Sequence, residues 1–152
     1  MKSNGSHPVL SYTDNIATSW GDFLLLVGRV LLGCLFLASG YGKLGNIAGA
    51  TGYFTSLGMS PPGAWAWFIG GTELVLGIAL ILGIATRYAA LVSFIFVVIA
   101  TWIAHRYWIY PAAAQGAQYN NFLRNLAIMG GALYVFVYGA GGYSVDAKLA
   151  RR

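Results

Sequence analysis

The sequence predicts an all-α membrane protein, a four-transmembrane-helix bundle with a short interfacial helix between helices 1 and 2. Four apolar stretches, Phe23 to Leu44, Ala64 to Gly83, Tyr88 to Ala104 and Phe122 to Tyr138, approach the ~20 residues a helix needs to cross a bilayer, although the third is short. The composition agrees: 58% of residues are hydrophobic, 9% are charged, and the mean hydropathy is +0.66. The few charges inside the stretches are the third observation. Arg29, Glu73 and Arg124 sit where a charge costs ~2.5 to 3.5 kcal/mol on insertion scales, so each needs a partner or a use.

With 152 residues, the chain has room for one bundle and no separate soluble domain, which argues against an attached nucleotide-binding domain. The net charge of +5 would suggest nucleic acid in a soluble protein. Here the basic residues are scattered over helix ends and tails, so membrane lipids are the expected counter-charge and nucleic acid is not expected as a partner.

Residues 1–21 read as a polar, irregular N-terminal tail. A cleaved signal peptide is not expected, because Lys2 is offset by Asp14 and Asp22 and the following apolar run is too long. The transmembrane domain, residues 22–146, opens with Arg29, Gly33, Phe36, Gly40 and Lys43 at spacings of 4, 3, 4 and 3, all on one helix face. That face is expected to meet protein, since its glycines bare the backbone for close approach by another helix. Cys34 reads as a small buried hydrophobe; as the one cysteine it excludes an intrachain disulfide.

Gly45 to Ser60 is too polar and glycine-rich to cross, yet Ile47, Tyr53, Phe54 and Leu57 suit the greasy side of a short helix in the interface. Ser60, Pro61 and Pro62 form a helix start, with Ser60 as the cap, and Trp65 and Trp67 belong at headgroup level. Gly70, Glu73 and Gly77 share a face of the second span. Thr86 and Arg87 read as a short turn that makes the second and third spans antiparallel neighbours. The third ends in an aromatic and cationic belt, His105, Arg106, Tyr107, Trp108 and Tyr110. A loop through Gln118 to Asn121 precedes the fourth span, which Arg124 and Asn125 enter and Gly139, Gly141 and Gly142 end. Residues 147–152 form a basic C-terminal tail. Five cations, Lys2, Arg87, Lys148, Arg151 and Arg152, fall on the side of the termini against Lys43, Arg106 and Arg124 on the other, so cytoplasmic termini are expected.

Two constellations are candidate ligand-binding sites. Arg29 and Glu73 are expected to pair inside the bundle, directly or through Tyr41, Ser39 or Thr72, either to fix helix register or to serve a ligand or proton. Lys43, His105, Arg106, Arg124 and Asn125 gather near the opposite mouth. A quinone would satisfy them, its carbonyls accepting hydrogen bonds and its ring lying among Tyr and Trp; snorkelling to lipid phosphates is the plainer use. No catalytic residue is evident. Haem, iron–sulfur and zinc sites lack ligands, so no metal is expected, and the 21 glycines form no phosphate loop.

The order Arg29-x3-Gly33-x2-Phe36-x3-Gly40-x2-Lys43-Leu44, the linker Tyr53-Phe54-x2-Leu57-Gly58-x2-Pro61, Glu73-x3-Gly77 with Leu82-Gly83-x2-Thr86-Arg87, and Asn121-Phe122-x-Arg124-Asn125 before Gly139-x-Gly141-x3-Ser144-x-Asp146 together resemble the DoxX family of small bacterial four-helix membrane proteins. The resemblance runs from about Phe23 to Asp146, with Ser39 standing where relatives often have histidine. It implies a multi-pass protein of the bacterial inner membrane associated with redox chemistry, a subunit of an oxidoreductase complex that is not catalytic alone. It also makes Arg29, Lys43, Glu73, Arg124 and Asn125 the family-type polar residues. The expected arrangement is thus a quinone or related lipid in the bundle, no intrinsic cofactor, and a protein partner that supplies electrons. The alternative is a non-catalytic anchor or assembly factor whose glycine-lined helices dock another membrane protein. A homo-oligomer is compatible with either reading, and a proton or solute carrier using Glu73 would require one.

Overall fold

A computed structural model describes residues 8–151. Lys2, His7 and Arg152 lie outside the described residues. Among the described residues every regular element is helical: α1 (Pro8–Ser19), α2 (Gly21–Gly45), α3 (Ile47–Ser56), α4 (Pro62–Leu82), α5 (Thr86–Ala104), a 3₁₀ turn (Tyr107–Ile109), α6 (Ala112–Tyr138) and α7 (Val145–Ala150). Three of these segments, α2, α4 and Thr86–Ile109, are long and apolar enough to cross a membrane. The fourth expected span belongs to α6, which has 27 residues but a polar first third carrying Gln115, Gln118, Asn120 and Asn121.

Large apolar side chains point outward along every long helix: Leu31 on α2, Val75 on α4, Trp102 on α5 and Tyr134 on α6 are each more than half exposed. A continuous surface of this kind is untenable in water and suits acyl chains. The molecule is a helical membrane protein.

The closest packing is between α2 and α4. A Cβ built on Gly40 would lie 2.5 Å from the Leu74 nitrogen and 2.7 Å from the Gly70 oxygen; one on Gly77 would lie 2.5 Å from the Leu37 nitrogen and 2.9 Å from the Gly33 oxygen. Gly33 therefore faces Gly77 and Gly40 faces Gly70, an antiparallel register in which two backbones touch. Phe36, Leu76 and Leu80 continue this contact into a core closed by Ala89, Ala90 and Val97 of α5 and Ala132 and Val135 of α6. A smaller cluster, Ala50, Phe54 and Ala66, seats α3 on the first turn of α4.

Several local expectations are corrected. The N-terminal tail is not irregular from Pro8 onward: Tyr12, Ile16 and Trp20 recur every four residues, and bonds from Trp20 N to Ile16 O and from Leu24 N to Trp20 O carry α1 almost directly into α2. Ser60 caps nothing, since Pro61 holds the extended N-cap position of α4. Thr86 and Arg87 are already helical; the turn is Gly83–Ala85, with Gly83 left-handed at φ 70°. Gln118 to Asn121 lie inside α6, because Pro111 starts that helix early. Cys34 is exposed, one residue past Gly33 and thus rotated away from the packed face. Part of the basic C-terminal tail is the short helix α7.

Carboxylates sew the chain's last turns to the bundle. Asp22 Oδ1 accepts from Gly142 N at 2.7 Å, and Asp146 accepts from Ala85 N at 2.7 Å and Thr86 N at 2.8 Å, capping α5 from a distant segment. Arg87 donates to the Phe136 and Val137 carbonyls at the end of α6, at 2.6 and 2.8 Å. Burial alone would raise the Asp146 carboxyl, but the hydrogen bonds from Thr86 and Ala85 and the charge of Arg29 outweigh it and hold it below the usual aspartate value.

Enlarging Gly40 to leucine is expected to wedge α2 from α4 and destabilise the protein by about 1–3 kcal/mol or more. Gly28→Ala, where a Cβ meets nothing within 4 Å, is expected to leave stability nearly unchanged. Thermal unfolding in detergent compares the two. Because the Asp146 value is lowered by folding, its stabilisation is complete above the unfolded value of about 4 and is lost as pH falls through the native one. Acid titration of the melting temperature is expected to show this loss in the wild type and a flatter profile in Asp146→Asn.

Candidate functional site

The register of α2 against α4 decides which buried charges meet. Side chains on a helix lean toward its own N-terminus, so on antiparallel helices they lean in opposite directions. Lys43, in the last turn of α2, leans back to the level of Gly40; Glu73, in the middle of α4, leans back to the level of Gly70, which faces Gly40. They converge. Lys43 Nζ donates to Glu73 Oε1 at 3.0 Å and Oε2 at 2.7 Å, and to Ser39 Oγ at 2.7 Å. The Lys43 side chain is 23% exposed and that of Glu73 10%, which makes this a shielded pair with some access for a guest.

The expected pair between Arg29 and Glu73 is not formed. Arg29 faces the end of α4, some eight residues beyond Glu73 or about 12 Å by helix geometry, and leans away from it. Its guanidinium is fully buried and donates to the carbonyls of Leu80 at 2.8 Å, Ile81 at 3.3 Å and Tyr143 at 2.8 Å. The Leu80 and Ile81 carbonyls belong to the C-terminus of α4, where a cation is favoured. Arg29 thus ties α2, α4 and the segment before α7 together. Ser39 serves Lys43 instead of bridging the expected pair, and Tyr41 is 74% exposed.

Two chambers adjoin the Lys43–Glu73 pair. The smaller, about 240 Å³, is walled by Ser39 and Lys43 of α2, Glu73 of α4, Phe96 of α5, His105, and Arg124 and Asn125 of α6. The larger, about 410 Å³, is mostly apolar, with Tyr53, Phe54 and Leu57 on one side and Trp65, Phe68 and Ile69 on another. Lys43, Glu73, Phe96, Ala100 and His105 line both. A polar head and an apolar body can therefore be held side by side.

The polar groups of the smaller chamber are held by their neighbours. His105 Nδ1 is 2.8 Å from Gln118 Oε1; as the donor in that bond it leaves Nε2 as the free ring nitrogen. Asn125 Nδ2 donates to Thr101 Oγ1 at 2.9 Å, and Thr101 donates to Val97 O at 2.6 Å. Arg124 Nη2 donates to Asn121 Oδ1, one turn earlier on α6. Arg106 is elsewhere: its guanidinium lies 5.6 Å above the Trp102 ring, and it lines neither chamber. No three His, Cys, Asp or Glu side chains gather as a metal site among the described residues.

The structure thus brings Lys43, Glu73, His105, Arg124 and Asn125 together and sets Arg29 and Arg106 apart. Sequence reasoning missed Gln118 and Thr101 as supports and Phe96 as a shared wall. Ser39, four residues before Lys43, carried a readable signal for its bond; Gln118 carried none once that segment was read as a loop.

The chain is similar in sequence to known proteins. The DoxX family profile matches residues 24–106, and that of the SURF4 family matches residues 67–151. The chain is 31% identical over 131 residues to the inner membrane protein YqjF of Escherichia coli, covering 86% of this chain and 95% of that protein. It is 33% identical over 126 residues to the inner membrane protein YphA of the same organism, covering 82% and 89%. It is 25% identical over 126 residues to the ER-derived vesicles protein ERV29 of Saccharomyces cerevisiae, covering 83% of this chain and 34% of that protein. No solved structure matches the chain significantly. The DoxX profile covers more than half of the chain, two bacterial relatives exceed 30% identity over most of its length, and the chain belongs to the DoxX family.

Proposed function

We propose that this protein crosses the bacterial inner membrane four times, with cytoplasmic termini, and binds a quinone or related polar-headed lipid beside the Lys43–Glu73 pair as a subunit of a redox complex. The observation that carries the reading is the junction of a polar and an apolar chamber at that pair. Lys43 Nζ, Asn125 and the Arg124 guanidinium are donors suited to carbonyl oxygens, the Phe96 ring is a wall for a flat head, and the larger chamber suits the tail. Glu73 is the carboxylate at this junction and the group placed to exchange a proton when a quinone is reduced. Electrons come from a partner, since the chain's own residues bind, orient and exclude water.

Helix lengths and packing support the four crossings. α6, about 40 Å long by helix geometry, packs along α5 and supplies the fourth crossing, its polar first third projecting from the membrane. α3 lies in the interface, with Phe54 turned to α4 and Tyr53 partly exposed at the edge of the larger chamber. The names of YqjF and YphA support the inner membrane as the location. Gly33, Gly40, Gly70 and Gly77 are used within the α2–α4 contact, so the anchor reading would rest on Gly28, Gly42, Gly71 and Gly130, where a Cβ meets nothing within 4 Å.

Purification from native membranes in a mild detergent, followed by solvent extraction, is expected to yield near-stoichiometric quinone. Lys43→Met and Glu73→Gln, each removing one partner of a charge-assisted bond, are expected to lower retention by about tenfold or more. Absence of quinone from the wild-type extract, with unaltered quinone turnover by membranes carrying either variant, would overturn the reading.

A further inference from the structure

The charges around the smaller chamber do not balance. The chain has four acidic residues. Asp22 is bound to Gly142, Asp146 caps α5, and Asp14 is in α1, so Glu73 is the one carboxylate that lines either chamber. Lys43 and Arg124 line the smaller chamber with it, as does the His105 ring. Glu73 is matched by Lys43, whereas Arg124 bonds the neutral amide of Asn121 and meets no carboxylate.

We propose that the smaller chamber is an anion subsite, and that its guest carries a single ionised oxygen acid whose apolar body fills the larger chamber. The proposal rests on the reading that one amphiphile occupies both chambers, and it adds the charge of the head. A neutral carbonyl accepts hydrogen bonds from Arg124 but leaves its charge unmatched, whereas one ionised acid completes the pairing at the edge of a low-dielectric region. One charge is the limit, because Lys43 is already engaged by Glu73. A single chain is favoured as well: the larger chamber holds about 410 Å³, which suits one tail better than the two of a diacyl lipid. A long-chain carboxylate and an alkyl hydroxyquinone in its ionised form both present this chemistry.

The test uses the purified full-length protein in a neutral detergent at pH 8, with binding read from tryptophan fluorescence, since Trp65 lines the larger chamber. Four probes are titrated: a long-chain carboxylate, its methyl ester, an alkyl hydroxyquinone and the alkyl quinone lacking the hydroxyl. Each acid is expected to bind about tenfold or more tighter than its neutral counterpart. Arg124→Gln is expected to collapse that ratio toward one, and Arg124→Lys to retain most of it. Arg124 is exposed on its outer side, and thermal unfolding of both variants checks that the bundle is intact.

Discrimination by the carboxylate pair alone assigns the head to a lipid acid; discrimination by the hydroxyquinone pair alone assigns it to a quinone acid. Either supports the subsite. Equal affinity for acid and neutral probe in both pairs, or a ratio unchanged in Arg124→Gln, overturns it. Quinone binding without acid preference sinks the subsite and leaves the quinone reading standing. Acid preference without any quinone binding does the reverse.

Discussion

The backbone-to-backbone contact of α2 and α4 governs the placement of the buried charges. Gly33 against Gly77 and Gly40 against Gly70 hold the helices so close that neither can slide without driving a side chain into a main chain. In lipid, where burial of apolar surface gives helices little reason to associate, such close van der Waals packing is what fixes a register. Two consequences follow from the N-terminal lean of helical side chains. Lys43 and Glu73 are thrown together, and Arg29 is thrown onto the open end of α4.

The few charges of the chain divide into two uses according to which end of the bundle they occupy. At the end nearer the termini, Asp22, Arg29, Arg87 and Asp146 all bond to main-chain groups. They satisfy helix ends that lipid cannot solvate and strap the segment after α6 onto the bundle. At the other end Lys43, His105, Arg124 and Asn125 bond to side chains and retain donors beside open space. Groups engaged with the main chain are committed to the fold. Groups held by other side chains are the ones on which the proposed binding rests.

The helical class, the glycine face of the first span and the grouping of Lys43 with His105, Arg124 and Asn125 were legible in the sequence. They rest on period and composition, which a lipid solvent enforces strictly. What was not legible depended on register. Arg29 was expected to pair with Glu73, but the glycine contacts set it against the end of α4, and side chains on antiparallel helices lean apart or together. Arg106 was grouped with its neighbours in sequence, yet the turn after α5 stacks it on Trp102. The early start of α6 hid Gln118, since polar residues after a proline read as a loop until the tertiary structure makes them a helix projecting beyond the apolar core.

The same register argument bears on why an ion pair lies in the wall between two chambers at all. A shielded pair is a poor stabiliser, because the cost of removing both charges from their solvated state offsets most of their attraction, and apolar residues of equal volume do as well or better. Its usual structural use is to select one alignment of helices among several. Here that use is already served: four glycines hold the two backbones in contact, and Arg29 of α2 secures the far end of α4 by two main-chain bonds. Lys43 and Glu73 also sit where packing is incomplete, with about 240 Å³ on one side and about 410 Å³ on the other. A pair kept for alignment would be expected in the tightest part of the contact, with its charges sealed. Its position at the junction of two cavities, still partly accessible, is what supports the proposed binding role.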